Sequence, residues 1–336
     1  MSRDFSESFL APAPAAPVDL GPTPTFSIVI AAYQAEQFVA GAIESALAQT
    51  VPAHEIVVCD DGSSDGTAKA VEPYRDRIVF LQKENGGEGS AKNAAARAAS
   101  GDFVALLDAD DTYLPERLDA LGQLAAARPD LDIVTTDAFV EADGERTRRV
   151  YAGASRFEVD DQRTAILQGN FICGHCAIRR EAFLAAGGFD ESIRYTADWD
   201  CWIRLILAGA RVGLVHEPLS VYRIWAGSLS SSRVAYAKGH VQTLEKAVAR
   251  DDLSPDEQAV VERSLARRRR SAALTEAEAA VAEGDRGARR LLLGVAAGRG
   301  FGARTRLKAA AAAVAPRATR RALRRRAGSR LQRPGY

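Results

Sequence analysis

Asp108, Asp110 and Asp111 crowd three carboxylates into four positions at the end of the apolar run "FVALL". Like charges that close repel, so such a cluster is kept where a cation or a reacting group offsets the cost. Two chemistries fit the spacing. Asp-x-Asp can hold a divalent metal against a nucleotide diphosphate, because hard cations take carboxylate oxygens and leave other positions to water or phosphate. Asp-x-Asp-x-Thr, here Asp108, Asp110 and Thr112, is also the pattern of phosphatases that pass through an aspartyl-phosphate. In that reading Asp108 is the nucleophile, Asp110 the acid/base and Thr135 a phosphate ligand. It also needs a lysine beside the developing charge, and no lysine lies between Thr136 and Asp200. The metal reading has no such gap.

Other groups fall at similar places. Ala31-Ala32-Tyr33 follows the apolar run "FSIVI", and Asp60-Asp61-Gly62-Ser63 follows "EIVVC". Asp, Gly and Ser also favour turns and helix caps, so the second group reads equally as capping chemistry, with Asp65 as a cap. No G-x-G-x-x-G follows the first run, which argues against a dinucleotide fold. The later "GGEGSAK" either sets backbone N–H groups and Lys92 near a phosphate or is an ordinary loop with Ser90 capping the next helix. Asp198 and Asp200 open the apolar segment "DWDCWIRL". Asp200 can pair with Arg204 at i,i+4, which leaves Asp198 as a helix cap or as a reactive carboxylate at a helix N-terminus. "CGHC" at Cys173–Cys176 matches a dithiol redox site in letters, but it lies mid-chain, follows Ile172 rather than Trp, and lacks two further ligands for zinc; we read it as small buried cysteines.

The elements that must position these groups alternate. Strands are expected at "FSIVIAA", "EIVVC", "RIVFLQ", "FVALL" and "DIVTT". Helices are expected from Phe38 to Leu47, from Asp65 to Tyr74, through "SAKNAAARAAS" and after Pro115. This is the rhythm of an α/β fold with a mostly parallel sheet flanked by helices, and ligands in such sheets sit at the carboxyl ends of the strands. A hairpin is expected at Asp143-Gly144. Mixed elements run on to about Arg223, and the rest reads as helix. The expected organisation is a Pro/Ala-rich tail over 1–24, an α/β domain over 25–230 and a helical extension over 231–336.

The chain has 336 residues, 47% of them hydrophobic, and Lys+Arg and Asp+Glu both total 44, so no global field calls for nucleic acid. From Phe301 onward eleven basic residues stand without an acidic one. That tail is a solvated face, a partner-docking helix or a contact with an anionic membrane surface, the last slightly favoured. Four cysteines, no apolar run near the roughly 18–20 residues of a membrane span and no leader pattern make the cytoplasm, or the inner face of its membrane, the expected location.

Taken in order, "SIVIAAYQAEQFVAGAIESALAQT", "EIVVCDDGSSDGT", "ENGGEGSAKNAAARAASGDFVALLDADDTYLPERL", "GGFDESIRYTADWDCWIRL" and "YRIWAGSLS" resemble the family 2 glycosyltransferases of GT-A fold, over about residues 25–230. The resemblance implies sugar transfer with inversion from a nucleotide-diphosphate donor, UDP- or dTDP-linked, to a glycan or lipid-linked acceptor in glycoconjugate assembly. It implies that Asp61 meets a pyrimidine base, aided by Ala31, Tyr33 and Glu36, with Asp60 and Lys92 also at the donor. Asp108 would lie near the ribose, Asp110 and Asp108 would hold Mg2+ or Mn2+, and Asp198 would be the general base. Three positions depart from the family pattern. Ala197 stands where Glu is common, Trp225 where many members carry a His that can contact the metal, and Lys92 where Arg is commoner, which keeps the charge and loses the bidentate fork. A sugar-nucleotide-binding relative without catalysis is the alternative these departures leave.

Overall fold

In the computed structural model, residues 23–152, 157–158, 160–225, 232–315 and 319 are described. The chain divides into two compact units that part between Trp225 and Ala226.

The first unit is a sheet with helices packed on it. Strand β1 (Phe26–Ala32) is buried along almost its whole length, as a β-branched run flanked on both edges requires. It pairs in parallel with β2 (Glu55–Asp60) and β4 (Phe103–Asp108), and β2 pairs in parallel with β3 (Val79–Gln82). Helix α1 (Val39–Leu47) buries Val39, Ala42, Ile43 and Ala46, the spacing of one helical face. Helices α2 (Thr67–Val71) and α3 (Glu88–Ala98) follow β2 and β3. Asp65 serves α2 from outside its first turn, accepting from the Thr67 amide at 3.0 Å. Ser90 does not cap α3: the helix begins at Glu88, behind Gly87 at φ +92°, and Ser90 lies inside its first turn.

Beyond β4 the sheet changes sense. The order is β3-β2-β1-β4-β8-β6-β9-β5, with β7 on the side of β6. Short β8 (Ala177–Arg179) inserts antiparallel between β4 and β6 (Ile133–Ala142). The sheet is therefore mixed, and β6 is not the direct parallel neighbour of β4 that alternation alone suggests. A turn at Asp143 and Gly144, both at positive φ (53° and 80°), returns the chain into β7 (Glu145–Arg149). Strand β9 (Val212–Ile224) runs parallel to β6 and pairs antiparallel with the two-residue β5 (Thr112–Tyr113). Helices α4 (Arg117–Ala127), α5 (Gln162–Gln168), α6 (Arg180–Ala185) and α7 (Ala197–Leu207) complete the unit. Asn93 of α3 ties down the loop before α7. Its amide donates to the Phe189 carbonyl (2.9 Å) and to Glu191 (3.0 Å), and its oxygen accepts from the Phe189 amide (2.8 Å).

The second unit is helical: α8 (Arg233–Val248), α9 (Pro255–Glu283), α10 (Ala288–Ala297) and α11 (Ala303–Val314). Helix α9 starts at a capping box of Ser254 and Glu257 with Pro255 in its first turn, and stops at Gly284, φ +80°. Ala277, Val281, Leu292, Val295, Ala309 and Ala313 form a small core from α9, α10 and α11. Of the basic residues counted after Phe301, those beyond Ala315 fall outside the described residues. No described helix is long and apolar enough to cross a membrane.

Candidate active site

Strands β1, β2 and β4 end side by side, and each delivers one of the groups singled out in the sequence. At the end of β1, Ala31 is half-buried and Tyr33 is 52% exposed. The Glu36 carboxylate accepts from the Gly66 amide at 2.8 Å, so it also caps the turn into α2.

The turn after β2 is closed by its own hydrogen bonds. Asp60 accepts from the Ser63 amide (3.0 Å) and from Gln82 (3.2 Å). Asp61 accepts from Lys83 Nζ (2.8 Å) and from the amides of Gly86 (3.0 Å) and Gly87 (2.7 Å). The glycine-rich loop thus aims its N–H groups at a carboxylate of this chain, and Asp61 is only 2% exposed. Gly62, at φ +75°, lets Asn85 approach: a Cβ there would stand 2.9 Å from the Asn85 nitrogen.

The turn after β4 is built differently. Lys92, on α3 and itself buried, reaches Asp108 at 2.6 Å and Glu88 at 2.5 Å. Burial pushes the Asp108 carboxyl up, but the Lys92 ammonium outweighs it and holds the group below its ordinary value. Burial pulls Lys92 down, and Asp108 and Glu88 together more than reverse that. Asp111 accepts from His175 Nε2 (2.6 Å) and from the Arg223 amide (2.6 Å), while His175 Nδ1 faces the Ser220 hydroxyl at 3.0 Å. Asp110 has weaker support: its Oδ2 accepts from the Trp225 indole N–H at 2.8 Å. Burial first, then the charges of Asp111 and Asp108, push its carboxyl up to about 7.

These residues fit a hard divalent cation. One ligand atom each from Asp108, Asp111 and His175 lies within 4.8 Å of the others. However, Asp111 and His175 already satisfy each other, and Asp108 is already neutralised by Lys92. Asp110 is the carboxylate whose charge has no full counter-charge against it. A cation drawing on Asp110 and Asp108 would relieve that, as oxygen-ligated Mg2+ or Mn2+ does. The phosphatase alternative meets an obstacle here: Thr135 is fully buried in β6 and its hydroxyl donates to the Thr136 carbonyl, so it presents nothing to a phosphate.

Asp198 stands in the first turn of α7, whose N-cap position is taken by Thr196. Trp199 anchors that turn by donating from its indole to the Ile166 carbonyl (2.8 Å). Burial pushes Asp198 up to about 6. Glu88 and Asp108 add to the shift, while the Trp199 amide and Lys92 oppose it. The charges of Glu88, Lys92 and Asp108 therefore reach Asp198. The Asn170 amide donates to its Oδ2 at 2.9 Å. The Asn170 oxygen accepts from the Ile172 amide (3.1 Å), which fixes which way that side chain is turned. Asp200 pairs with Arg204 at 2.8 Å, as the i,i+4 spacing predicted.

His175, Asn170, Ser220 and Arg223 enter the site without having been singled out. The only local signal was the "CGHC" string, and its histidine rather than its cysteines is what reaches the acidic turn. The thiols are free and buried; burial pushes Cys173 up to about 11 and Cys201 up to about 12, so none is an activated nucleophile.

The family model for glycosyl transferase family 2 matches residues 27–187, from β1 through α6. An uncharacterized glycosyltransferase of Rickettsia prowazekii is 30% identical over 215 residues, 62% of this chain and 67% of that protein. Chondroitin synthase of Escherichia coli is 30% identical over 193 residues, 55% of this chain but only 27% of that longer protein. Among solved structures, S. aureus TarS 1–349 in complex with UDP-GlcNAc matches with a TM-score of 0.59 at 19% identity, over 90% of this chain and 92% of that one. The Pyrobaculum calidifontis mannosyltransferase in complex with GDP-Man and Mn2+ matches with a TM-score of 0.57 at 21% identity, over 92% and 90%. At those identities the structures speak for a shared GT-A fold. With that fold, the family match across the strands that end in the acidic turns, and a relative matched over two thirds of its length, the chain belongs to glycosyl transferase family 2 and is a glycosyltransferase.

Proposed function

We propose that the protein moves a sugar from a pyrimidine nucleotide-diphosphate donor, UDP- or dTDP-linked, to an acceptor hydroxyl in polysaccharide or glycolipid assembly, with inversion at the anomeric carbon. What supports this reading is that burial raises the affinity of Asp198 for a proton while the charges of Lys92 and Asp108, themselves paired at 2.6 Å, reach it.

The reaction is a single displacement. The acceptor oxygen bonds to the anomeric carbon as the bond from that carbon to the diphosphate oxygen breaks. The hydroxyl proton passes to Asp198, and the nucleoside diphosphate leaves. Asn170 donates to Oδ2 of Asp198 and so orients the carboxylate. A group near 6 is ionised at neutral pH yet basic enough to take a proton late in the step. Lys92 brings an ammonium to the departing diphosphate. Asp110 and Asp108 are the residues that would hold Mg2+ or Mn2+, and the cation would neutralise charge on that leaving group. Tyr33 and the end of β1 receive the base. Asp61 acts from beneath by fixing the glycine-rich loop.

A thermal-shift screen of UDP, dTDP and GDP with Mn2+, followed by transfer assays with the sugar nucleotides of the binders, tests the reading. Stabilisation by UDP or dTDP and an inverted product are expected; the two neighbour complexes make GDP the necessary control. No shift with any nucleotide would remove the proposal. The basic tail is assigned to an anionic membrane surface. The test is to cut after Ala315, because a cut near residue 300 would also remove Ala309 and Ala313 from the helical core. Equal sedimentation of both chains with anionic liposomes would overturn that assignment.

A further inference from the structure

The end of β9 grips the acidic turn at three points. The Arg223 amide donates to Asp111 (2.6 Å), its Nη1 donates to the Asp110 carbonyl (2.8 Å), and the Trp225 indole N–H donates to Asp110 Oδ2 (2.8 Å). The Trp225 ring is itself held. It packs on Phe38, just ahead of α1, with ring centroids 4.8 Å apart, and the Arg223 guanidinium lies 5.6 Å from the same Phe38 ring. An indole nitrogen is a donor only and cannot ligate a cation. A donor fixed on one carboxylate oxygen turns the other oxygen outward, and it favours the ionised form that a cation needs.

We propose that Trp225 is the positioning residue for the cation-binding carboxylate. Its N–H takes Oδ2 of Asp110, so the cation meets Oδ1 of a side chain already oriented. The inference rests on the metal-assisted reading above and adds a residue from the far end of β9 to it. A hydrogen-bond partner of a ligand typically governs metal affinity by 10–100-fold.

The test uses Mn2+ with UDP and reads binding, not turnover. Bound Mn2+ is counted by the loss of its free EPR signal in the full-length wild type and in Trp225→Phe, which keeps a ring on Phe38 and removes the N–H. A 10–100-fold weaker Mn2+ affinity in Trp225→Phe, with the melting temperature little changed, is expected. Equal or tighter binding by the variant overturns the proposal and leaves the metal reading standing, whereas no Mn2+ bound by the wild type with UDP overturns the metal reading itself. A second measurement needs no variant. The chain has three tryptophans, and Trp199 and Trp202 are buried in α7. With Trp225 beside Asp110, paramagnetic Mn2+ should quench wild-type fluorescence more than diamagnetic Mg2+ does at equal saturation. The absence of any excess quenching overturns the proposal even if Trp225→Phe does not fold.

Discussion

Two acidic turns lie on the same edge of the sheet, at the ends of β2 and β4, and they are neutralised in different ways. At β2 the carboxylates of Asp60 and Asp61 face the Ser63, Gly86 and Gly87 amides, Gln82 and Lys83. At β4 Lys92 pairs with Asp108 and His175 with Asp111, Asp110 has only the Trp225 indole N–H, and the Arg223 guanidinium is directed at the Asp110 carbonyl and at Glu141 instead. The first turn holds itself together. The second holds a charge that needs something from outside. The same residue type in equivalent places therefore does two jobs, and the donors around it decide which.

The largest effect should come where chemistry, not binding, depends on the second turn's neighbourhood. Asp198→Asn keeps size and loses the proton-accepting oxygen. Turnover should fall roughly 10²–10⁴-fold, with nucleotide affinity and melting temperature little changed. Steady-state transfer beside calorimetry makes the comparison, and wild-type turnover in the variant would dismiss Asp198 as the base. The pH profile sharpens it: with the base near 6, kcat/KM should decline as pH falls through about 6.

Stability should also respond to pH, through Asp110. Its carboxyl rises from 3.8 to about 7 on folding, so between those values the native state holds more proton than the unfolded chain. Metal-free stability should therefore drop as pH climbs from about 4 to 7 and level off above. Asp110→Asn should flatten that contribution. Denaturant melts at a series of pH values would show it, and an unchanged slope in the variant would mean that Asp110 is not under strain.

At the β2 turn the sign reverses. Asp61→Asn replaces an acceptor for three donors with an amide and should cost ~1–3 kcal/mol of stability, since buried donors lose their partner. Chemical denaturation would measure it. An Asp61→Asn protein as stable as the wild type would show that the turn does not depend on this carboxylate. The smallest effect belongs to Asp200→Asn: its carboxylate is buried against Arg204, but that guanidinium keeps the Ala186 and Gly188 carbonyls, so the change should cost about 1 kcal/mol while leaving transfer largely intact.

Much of this was legible in the sequence because it is local. "FSIVIAA", "EIVVC" and "FVALL" became strands, Asp143-Gly144 closed a hairpin at positive φ, and Asp200 met Arg204. What was missed is long-range. His175 reaches Asp111 across 64 positions, Asn170 reaches Asp198 across 28, and Trp225 reaches Asp110 across 115. No periodicity encodes such contacts; they follow from β8 sliding between β4 and β6 and from β9 returning past β5. At three residues, β8 is too short to leave a pattern of alternation. The turn "DDGSSDGT" was readable as a turn, but not the inward facing of Asp61, which depends on a loop 25 residues further on.

The distinction between the two turns is tested most directly by titrating UDP into wild type, Asp110→Ala and Asp61→Asn in a calorimeter, each with and without Mn2+. Mn2+ should tighten UDP binding in the wild type, the enhancement should vanish in Asp110→Ala, and a Mn2+ enhancement should persist in Asp61→Asn. An enhancement that survives Asp110→Ala, or that disappears only with Asp61→Asn, would contradict that distinction.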